Sequence, residues 1–505
     1  MTKKIKSLLA IMMALVMILS VGFGSEKAFA YAIANQGKIT VNKTIKDKKY
    51  AIYKIFDLTY TGEDENKNVS YTIAEDWKDF FENGAGKSYI VNDNTGELNP
   101  ITVDGKVKYI NITEANIKDF AKAAQSQLSK MNKTEVKTAQ GETLVFENLE
   151  LGYYMVSPEG ATEPTGEKHG SIVSLTSTLP EVTVNSKGKY PTITKKVDKK
   201  SEDYSKPVKF TLESKIPDTT GYDKYEFFVT DTLSKGLELD TDTIKVKIGD
   251  KQEQTVGIEK SANYYYEKSA GTDGSTVLKI FFNMKELQED VNKKLEITYQ
   301  AKIGKDALVG NTGNPNEVEL EYSNDPKNND SKEKTPKVTV KVYTGKIKLI
   351  KHEKDNEGKK LQNAEFVLYK KEGGNKVKYY KLNESSDKKE VIWVDDINHA
   401  TVVYTDFEGK AEFKGLAAGT FFLKETKAPD GYNLLTTDTE VTLTDDDSST
   451  STLKMEAESK IANSSGIALP GTGGMGTTLF AVLGGAIILI ALYSLAKGKV
   501  KKERN

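Results

Sequence analysis

Hydrophobic and polar residues alternate in short runs through most of this chain. Lys38-Ile39-Thr40-Val41, Ser171-Ile172-Val173-Ser174-Leu175, Glu181-Val182-Thr183-Val184, Glu317-Val318-Glu319-Leu320-Glu321-Tyr322, Lys337-Val338-Thr339-Val340-Lys341-Val342 and Glu440-Val441-Thr442-Leu443 alternate or are rich in β-branched residues. That is the pattern of strands with one buried face. The stretches between them are rich in Gly, Asn, Asp and Pro, the residues of turns. Helical spacing of apolar residues is confined to the first third, over 73–83 and 113–130. Short strands at this density predict a mainly β protein of tandem immunoglobulin-like β-sandwiches, with some helix in the N-terminal domain. An internal echo predicts repeated units: Phe146, Leu149 and Gly152 followed by an aromatic strand match Phe413, Leu416 and Gly419 followed by another. The predicted domains are 31–189, 190–342 and 343–466, between a leader at 1–30 and a terminal segment at 467–505.

Two apolar runs break the alternation. Lys3, Lys4 and Lys6 precede an apolar stretch from Leu8 to Val21, and Ala28-Phe29-Ala30 supplies a small-x-small cleavage pattern, so the reading is a signal peptide with the mature chain starting at Tyr31. From Thr477 to Ala496 the chain carries no charge, a run of about 20 residues and long enough to cross a bilayer as a helix. The lysines at 497, 499, 501 and 502 would hold its far end on the cytoplasmic side. Export normally permits disulfides, yet the sequence has no cysteine, so any staple in these domains is not sulfur.

Charge and residue usage remove several function classes. Lys plus Arg number 72 against 73 Asp plus Glu, which leaves no basic excess for a phosphate backbone. Arg504 is the one arginine, so bidentate readers of bases are missing as well, and no nucleic-acid partner is expected. The three histidines, His169, His352 and His399, lie far apart and read as surface residues. Without cysteine they offer neither a zinc site nor a Ser-His-Asp set. Gly84-Ala85-Gly86-Lys87-Ser88 looks briefly like a phosphate loop, but the required first glycine would fall at Phe81 after a helical stretch, and the segment reads as a turn. No metal or cofactor is expected, and no enzyme activity beyond chemistry within the chain itself.

Leu469-Pro470-Gly471-Thr472-Gly473, placed immediately before the uncharged run and its basic tail, resembles the cell-wall sorting signal of Gram-positive surface proteins. The resemblance implies that a sortase cuts between Thr472 and Gly473 and joins Thr472 to peptidoglycan or to another subunit. Phe421-Phe422-Leu423-Lys424-Glu425-Thr426 through Tyr432 resembles the E-box of sortase-assembled pilins and their collagen-adhesin B-type domains. Gly345-Lys346-Ile347-Lys348-Leu349-Ile350-Lys351 looks like the opening strand of such a domain, and Ile461-Ala462-Asn463 like its last. The resemblance implies an intramolecular isopeptide bond in which Lys351 attacks Asn463, expelling ammonia, assisted by Glu425. An ammonium cannot attack, so the lysine must sit in an apolar core that disfavours its charge. A buried acid kept neutral can then shuttle protons.

The middle domain resembles the same family in different words. Pro191-Thr192-Ile193-Thr194-Lys195-Lys196-Val197 looks like its first strand, Val229-Thr230-Asp231-Thr232-Leu233 like the acid-bearing signature, and the segment from Gly313 to Asn324 like the closing strand. The implied set is Lys195, Asn316 and Asp231, with Lys196, Asn311 and Asn314 close enough to compete. Gly37 to Lys43 and Tyr50 to Asp57 resemble the start of the family's N-terminal domain. Val182-Thr183-Val184-Asn185-Ser186-Lys187 resembles the motif bearing the polymerising lysine, with Asn-Ser in place of Tyr-Pro. No Asn follows Lys187 immediately, where some relatives keep a bond partner, and Lys189 beside Tyr190-Pro191 is the alternative lysine. Taken together the resemblance implies a shaft subunit of a covalent pilus, linked between copies through Lys187 and Thr472. Its partners would be a sortase, copies of itself, peptidoglycan, accessory pilins and a host surface ligand. The alternative is a wall-anchored adhesin of the same modules that does not polymerise.

Overall fold

The computed structural model describes residues 36–61, 68–94, 98–161, 170–176, 179–186, 188–373, 376–448, 452–466 and 476–502. The chain divides into two compact units. One comprises residues up to Lys189 with Thr220–Asp223 and Asp325–Asn328, and the other the remainder from Tyr190 onward.

In the first unit the strand Gln36–Asn42 lies between Thr143–Glu150, antiparallel to it, and Glu181–Asn185, parallel to it. Ile39 and Val41 are buried and their neighbours are not, as alternation requires. A larger sheet runs around Lys49–Thr61 and Gly152–Pro158. The helical stretches are shorter than their spacing predicts: a 3₁₀ turn Glu75–Trp77 leads into an α-helix at Lys78–Glu82, and a second helix covers Ile117–Gln125. They bring Trp77, Phe80, Phe81 and Phe120 against Phe56 and Tyr71 in one aromatic core. The segment expected as a turn is a 3₁₀ helix, Ala85–Tyr89. A Cβ on Gly86 would lie 2.5 Å from the Phe80 ring, so glycine lets this segment wind directly onto the core.

The second unit contains two pairs of sheets. Over residues 194–342 a five-stranded sheet in the order Thr194–Val197, Pro207–Lys215, Lys294–Ile303, Leu237–Ile248, Gln254–Thr255 accompanies a six-stranded one. The latter is built on Tyr264–Ala270, Thr276–Phe282, Phe227–Leu233 and Asn314–Ser323. Alternate residues are buried in each, Val208, Phe210 and Leu212 in the first, Val229, Val318 and Leu320 in the second. Over residues 345–463 the strand Gly345–Glu353 lies between Lys410–Leu416, antiparallel, and Glu456–Asn463, parallel. Its companion six-stranded sheet includes Glu365–Glu372 and Gly419–Lys427.

The echo in the sequence is an echo in space. Phe146 pairs with Ile39 and Phe413 with Ile347, each on a first strand flanked in the same way. Asn148 and Gly415, two residues after each Phe, both adopt positive φ, 58° and 77°.

Within the second unit, the segment around 201–204 fastens the two sandwiches together. Asp203 accepts hydrogen bonds from Trp393 Nε1 and from the Ala417 amide, both at 2.8 Å. Ser201 Oγ accepts from the Ala418 amide at 2.9 Å and donates to Asp445 at 2.5 Å. The Tyr204 amide donates to the Gly415 carbonyl at 3.1 Å, and its ring occupies the place a side chain on Gly415 would take, with a built Cβ only 1.8 Å from Tyr204 Cδ2.

The C-terminal apolar run lies in a helix, Gly476–Lys502. Its side chains are described over 481–494 only, fewer than the roughly 20 residues a crossing needs. Among the described residues no helix is long and apolar enough to cross a membrane. The leader at 1–30 lies outside the described residues.

Gly415→Ala combines a left-handed φ with a collision against Tyr204, and is expected to lower the stability of this unit by about 1–3 kcal/mol. Unfolding midpoints of the two chains in urea test this. An unchanged midpoint would show that the joint is not held closed at Gly415.

Candidate functional site

A buried ammonium loses hydration worth several kcal/mol, so a lysine-rich chain normally keeps every amine wet. Among the described residues two lysines are buried, Lys195 and Lys351. Each lies beside a buried carboxyl and a buried carboxamide.

In the C-terminal sandwich the register Glu353 to Asn463 on parallel neighbouring strands places Lys351 and Asn463 diagonally on the same face. Lys351 Nζ donates to Asn463 Oδ1 and lies 3.1 Å from Glu425 Oε1. Asn463 Nδ2 donates to both Glu425 oxygens and to the Asn433 carbonyl, each at 3.0 Å. Glu425 comes from Gly419–Lys427 in the opposite sheet, and the Leu435 amide fixes its Oε2 at 2.9 Å. The Phe366 ring lies 5.5 Å from the amine. Burial pulls the Lys351 amine below its usual basicity, against the opposing pull of Glu425.

The middle sandwich builds its set across the two sheets. Lys195, on Thr194–Val197, belongs to one sheet; Asp231 and Asn316, on Phe227–Leu233 and Asn314–Ser323, belong to the other. Lys195 Nζ lies 2.6 Å from both Asp231 oxygens. Between amine and amide stands the Tyr299 hydroxyl, which accepts from Lys195 Nζ at 3.2 Å and from Asn316 Nδ2 at 2.7 Å and donates to Asp231 Oδ2 at 2.8 Å. Burial lowers the Lys195 amine to about 8 and raises Asp231 and Tyr299 above their ordinary values. The neutral amine and neutral acid that an attack on the amide needs are thereby brought within reach.

The neighbouring alternatives are placed differently. Lys196 points to solvent, as strand alternation dictates. Asn314 clamps a loop through the Leu308 amide and carbonyl and the Val342 carbonyl, and the Asn311 side chain caps the Met455 amide. Sequence reasoning missed Tyr299; the available signal was an aromatic at an inward position of Lys294–Ile303, opposite Phe210. It also misplaced His352. That ring is 6% exposed, with Nδ1 against the Glu353 carbonyl, because two successive residues of this strand are buried beside Lys351.

Comparison with known proteins bears directly on these two sandwiches. Residues 345–459 match the model of the SpaA prealbumin-like fold domain, and residues 204–326 that of the Gram-positive pilin backbone subunit 2, Cna-B-like domain. Residues 204–326 thus carry a domain of the Gram-positive pilin backbone kind, and residues 345–459 a prealbumin-like one. The chain is 26% identical over 316 residues to the trypsin-resistant surface T6 protein of Streptococcus pyogenes serotype M6, a match covering 58% of this chain and 50% of that protein. The chain thus spans about half the length of that curated relative. The solved T6 backbone pilin of S. pyogenes shares the fold at 19% identity, with a TM-score of 0.51 over 82% of this chain and 81% of that one. The full-length major pilin SpaD of Corynebacterium diphtheriae aligns at 19% identity and a TM-score of 0.47, over 86% of this chain and 99% of that one.

The register that places Lys351 and Asn463 can be compared with that of the chain's first unit. Ile39 pairs with Phe146 and Val182 as Ile347 pairs with Phe413 and Ala457. Counting onward in the sequence from those pairs, past the ends of the first unit's strands, brings Lys43 to the position of Lys351 and Gly188 to that of Asn463, and counting from Gly152 and Gly419 brings Pro158 to that of Glu425. Pro158 and Gly188 are indeed neighbours, since a Cβ built on Gly188 would lie 2.5 Å from Pro158 Cγ. Lys43 is exposed, at φ 57°. These positions of the first unit offer neither an acid nor an amide, and its lysine lies past the end of its strand.

Lys187 and the sorting residues Leu469, Pro470, Gly471, Thr472 and Gly473 lie outside the described residues, whereas Lys189 is exposed.

The intact mass of the chain is expected to fall short of its sequence mass by two ammonia molecules. Glu425→Ala is expected to restore one of them, and peptides preceding Lys189 to carry no cross-link. A mass equal to the plain sequence would remove both bonds, and a cross-linked peptide from the first unit would overturn the register argument.

Proposed function

We propose that this chain is the shaft subunit of a covalently polymerised pilus anchored to the wall of a Gram-positive cell. The observation that carries the reading is the pair of buried lysines in consecutive sandwiches, each against a buried acid, with an asparagine in direct contact at Lys351 and one bridged by the Tyr299 hydroxyl at Lys195. Lys351 joins Asn463 and Lys195 joins Asn316, each with loss of ammonia, so that both sandwiches are closed covalently without cysteine. Lys351 and Asn463 lie 112 residues apart in the chain. In the chain-entropy account, closing a loop of about 100 residues stabilises by roughly 4–5 kcal/mol.

Between copies, the amine of Lys187 takes the acyl group that a sortase forms at Thr472 of another subunit. The lysine follows a strand that ends at Asn185, and Lys189, two residues on, is solvent-exposed at the end of its unit. An accessible junction of this kind suits an amine that must enter an enzyme cleft. The leader, the uncharged run from Thr477 and the lysines behind it carry the chain outward and hold it until the sortase cuts. Peptidoglycan receives the last subunit.

Boiled wall extracts separated in detergent are expected to show a high-mass ladder. Lys187→Arg is expected to abolish the ladder and leave wall-bound monomer, since guanidinium stays protonated and does not attack. Lys189→Arg is expected to be tolerated, and alanines at 469–473 to release the protein to membrane or medium. A ladder surviving in the Lys187→Arg, Lys189→Arg double variant would defeat this placement of the linkage. A wild-type chain that stays monomeric on the wall would instead make it an anchored adhesin.

A further inference from the structure

The two cross-link sites solve the same proton problem with different parts. In the C-terminal sandwich Glu425 meets the amide nitrogen of Asn463 directly, with both oxygens at 3.0 Å. In the middle sandwich the acid is aspartate, shorter by one methylene, and among the described hydrogen bonds Asp231 meets Asn316 through the Tyr299 hydroxyl instead. Tyr299 is held firmly for that task. It is 1% exposed, its ring stacks on Phe210 with centroids 5.2 Å apart, and its strand Lys294–Ile303 is paired on both sides. The hydroxyl touches the attacking amine, the acid and the leaving nitrogen at once.

We propose that Tyr299 is a catalytic residue of the middle cross-link, relaying a proton from Asp231 to the departing nitrogen of Asn316. The inference rests on the reading above that Lys195 and Asn316 become joined. The neutral Lys195 amine forms a bond to Asn316 Cγ, and the carbonyl electron pair moves onto Oδ1. One proton of the attacking nitrogen passes to Asp231, the proton of Asp231 passes to the phenolic oxygen, and the phenolic proton passes to Nδ2. The pair on Oδ1 re-forms the carbonyl, the Cγ–Nδ2 bond breaks and ammonia leaves. Aspartic acid and tyrosine finish as they began, so no co-reactant is required. Burial keeps the phenol protonated, well above its ordinary range, so it serves as a conduit and not as a base that stays charged.

Tyr299→Phe removes the hydroxyl and keeps the ring that stacks on Phe210. The test follows the full-length chain, made in a cell-free reaction with detergent, by mass spectrometry of the Lys195–Asn316 and Lys351–Asn463 peptides over time. The C-terminal bond of the same molecules is the internal clock. Closure of the middle bond is expected to slow on the order of 10²-fold, the usual share of a positioned proton donor, with the clock unchanged. Melting of Lys195→Ala with and without Tyr299→Phe reads the structural cost of the substitution where no bond can form. Middle closure at the wild-type rate, or slowing of both bonds together, would overturn the relay. If the variant does not fold, wild-type chain in heavy water decides. An isotope effect larger for the middle bond than for the C-terminal one supports the relay, and equal effects refute it. A wild-type middle sandwich that never loses ammonia would refute the cross-link itself, and the relay with it.

Discussion

Everything distinctive in the second unit follows from the cost of taking an amine out of water. A lysine on a strand of a sandwich has the whole outer surface available, and the chain places its other described lysines there or at partly wetted positions. Holding Lys195 and Lys351 in the core is tolerable only with a carboxyl at hand to share the proton. Burial weakens the hold of both amines on their charge and of Asp231 on its own, in the direction attack on an amide needs, while the pairing pulls the other way. The surrounding packing, with Phe210 and Tyr299 beside one amine and Phe366 beside the other, excludes the water that would undo this.

The two sandwiches reach that end by different topologies. In one, amine and amide share a sheet and the acid leans in from the facing sheet. In the other, acid and amide share a sheet and the amine crosses the core. The difference follows from which strands are neighbours. Gly345–Glu353 and Glu456–Asn463 pair directly, whereas Thr194–Val197 and Asn314–Ser323 lie in separate sheets. The first bond would reinforce an existing ladder; the second would pin two layers face to face.

Strand positions were legible in the sequence because alternation is a local property, and the runs at 171–175 and 181–184 appear as strands almost to the residue. The pairs of Lys, acid and Asn were legible as an ordered set of residue types, which is why their positions could be named ahead of any geometry. Tyr299 was not, since an inward aromatic on a strand is ordinary core until its hydroxyl is found between two polar side chains. Nor could the pattern disclose that Gly188 counts to the position the amide holds elsewhere, beside Pro158. That equivalence exists only in the pairing register of strands more than a hundred residues apart. The fastening of the two sandwiches through Asp203 and Tyr204 was equally silent, because its partners at 391–393 and 415–418 are remote in the chain.

The parallel pairing of first and last strands in the C-terminal sandwich bears on how the proposed thread of such subunits would carry tension. A pull entering at Gly345 and leaving beyond Asn463 runs along both strands in opposite directions, so the ladder between them is sheared and its hydrogen bonds are strained together, not opened one by one. With Lys351 joined to Asn463, the pull passes from one side chain to the other, and residues 352–462 become a closed detour off the line of force. A protease that nicked the surface turns of that detour would leave the thread unbroken.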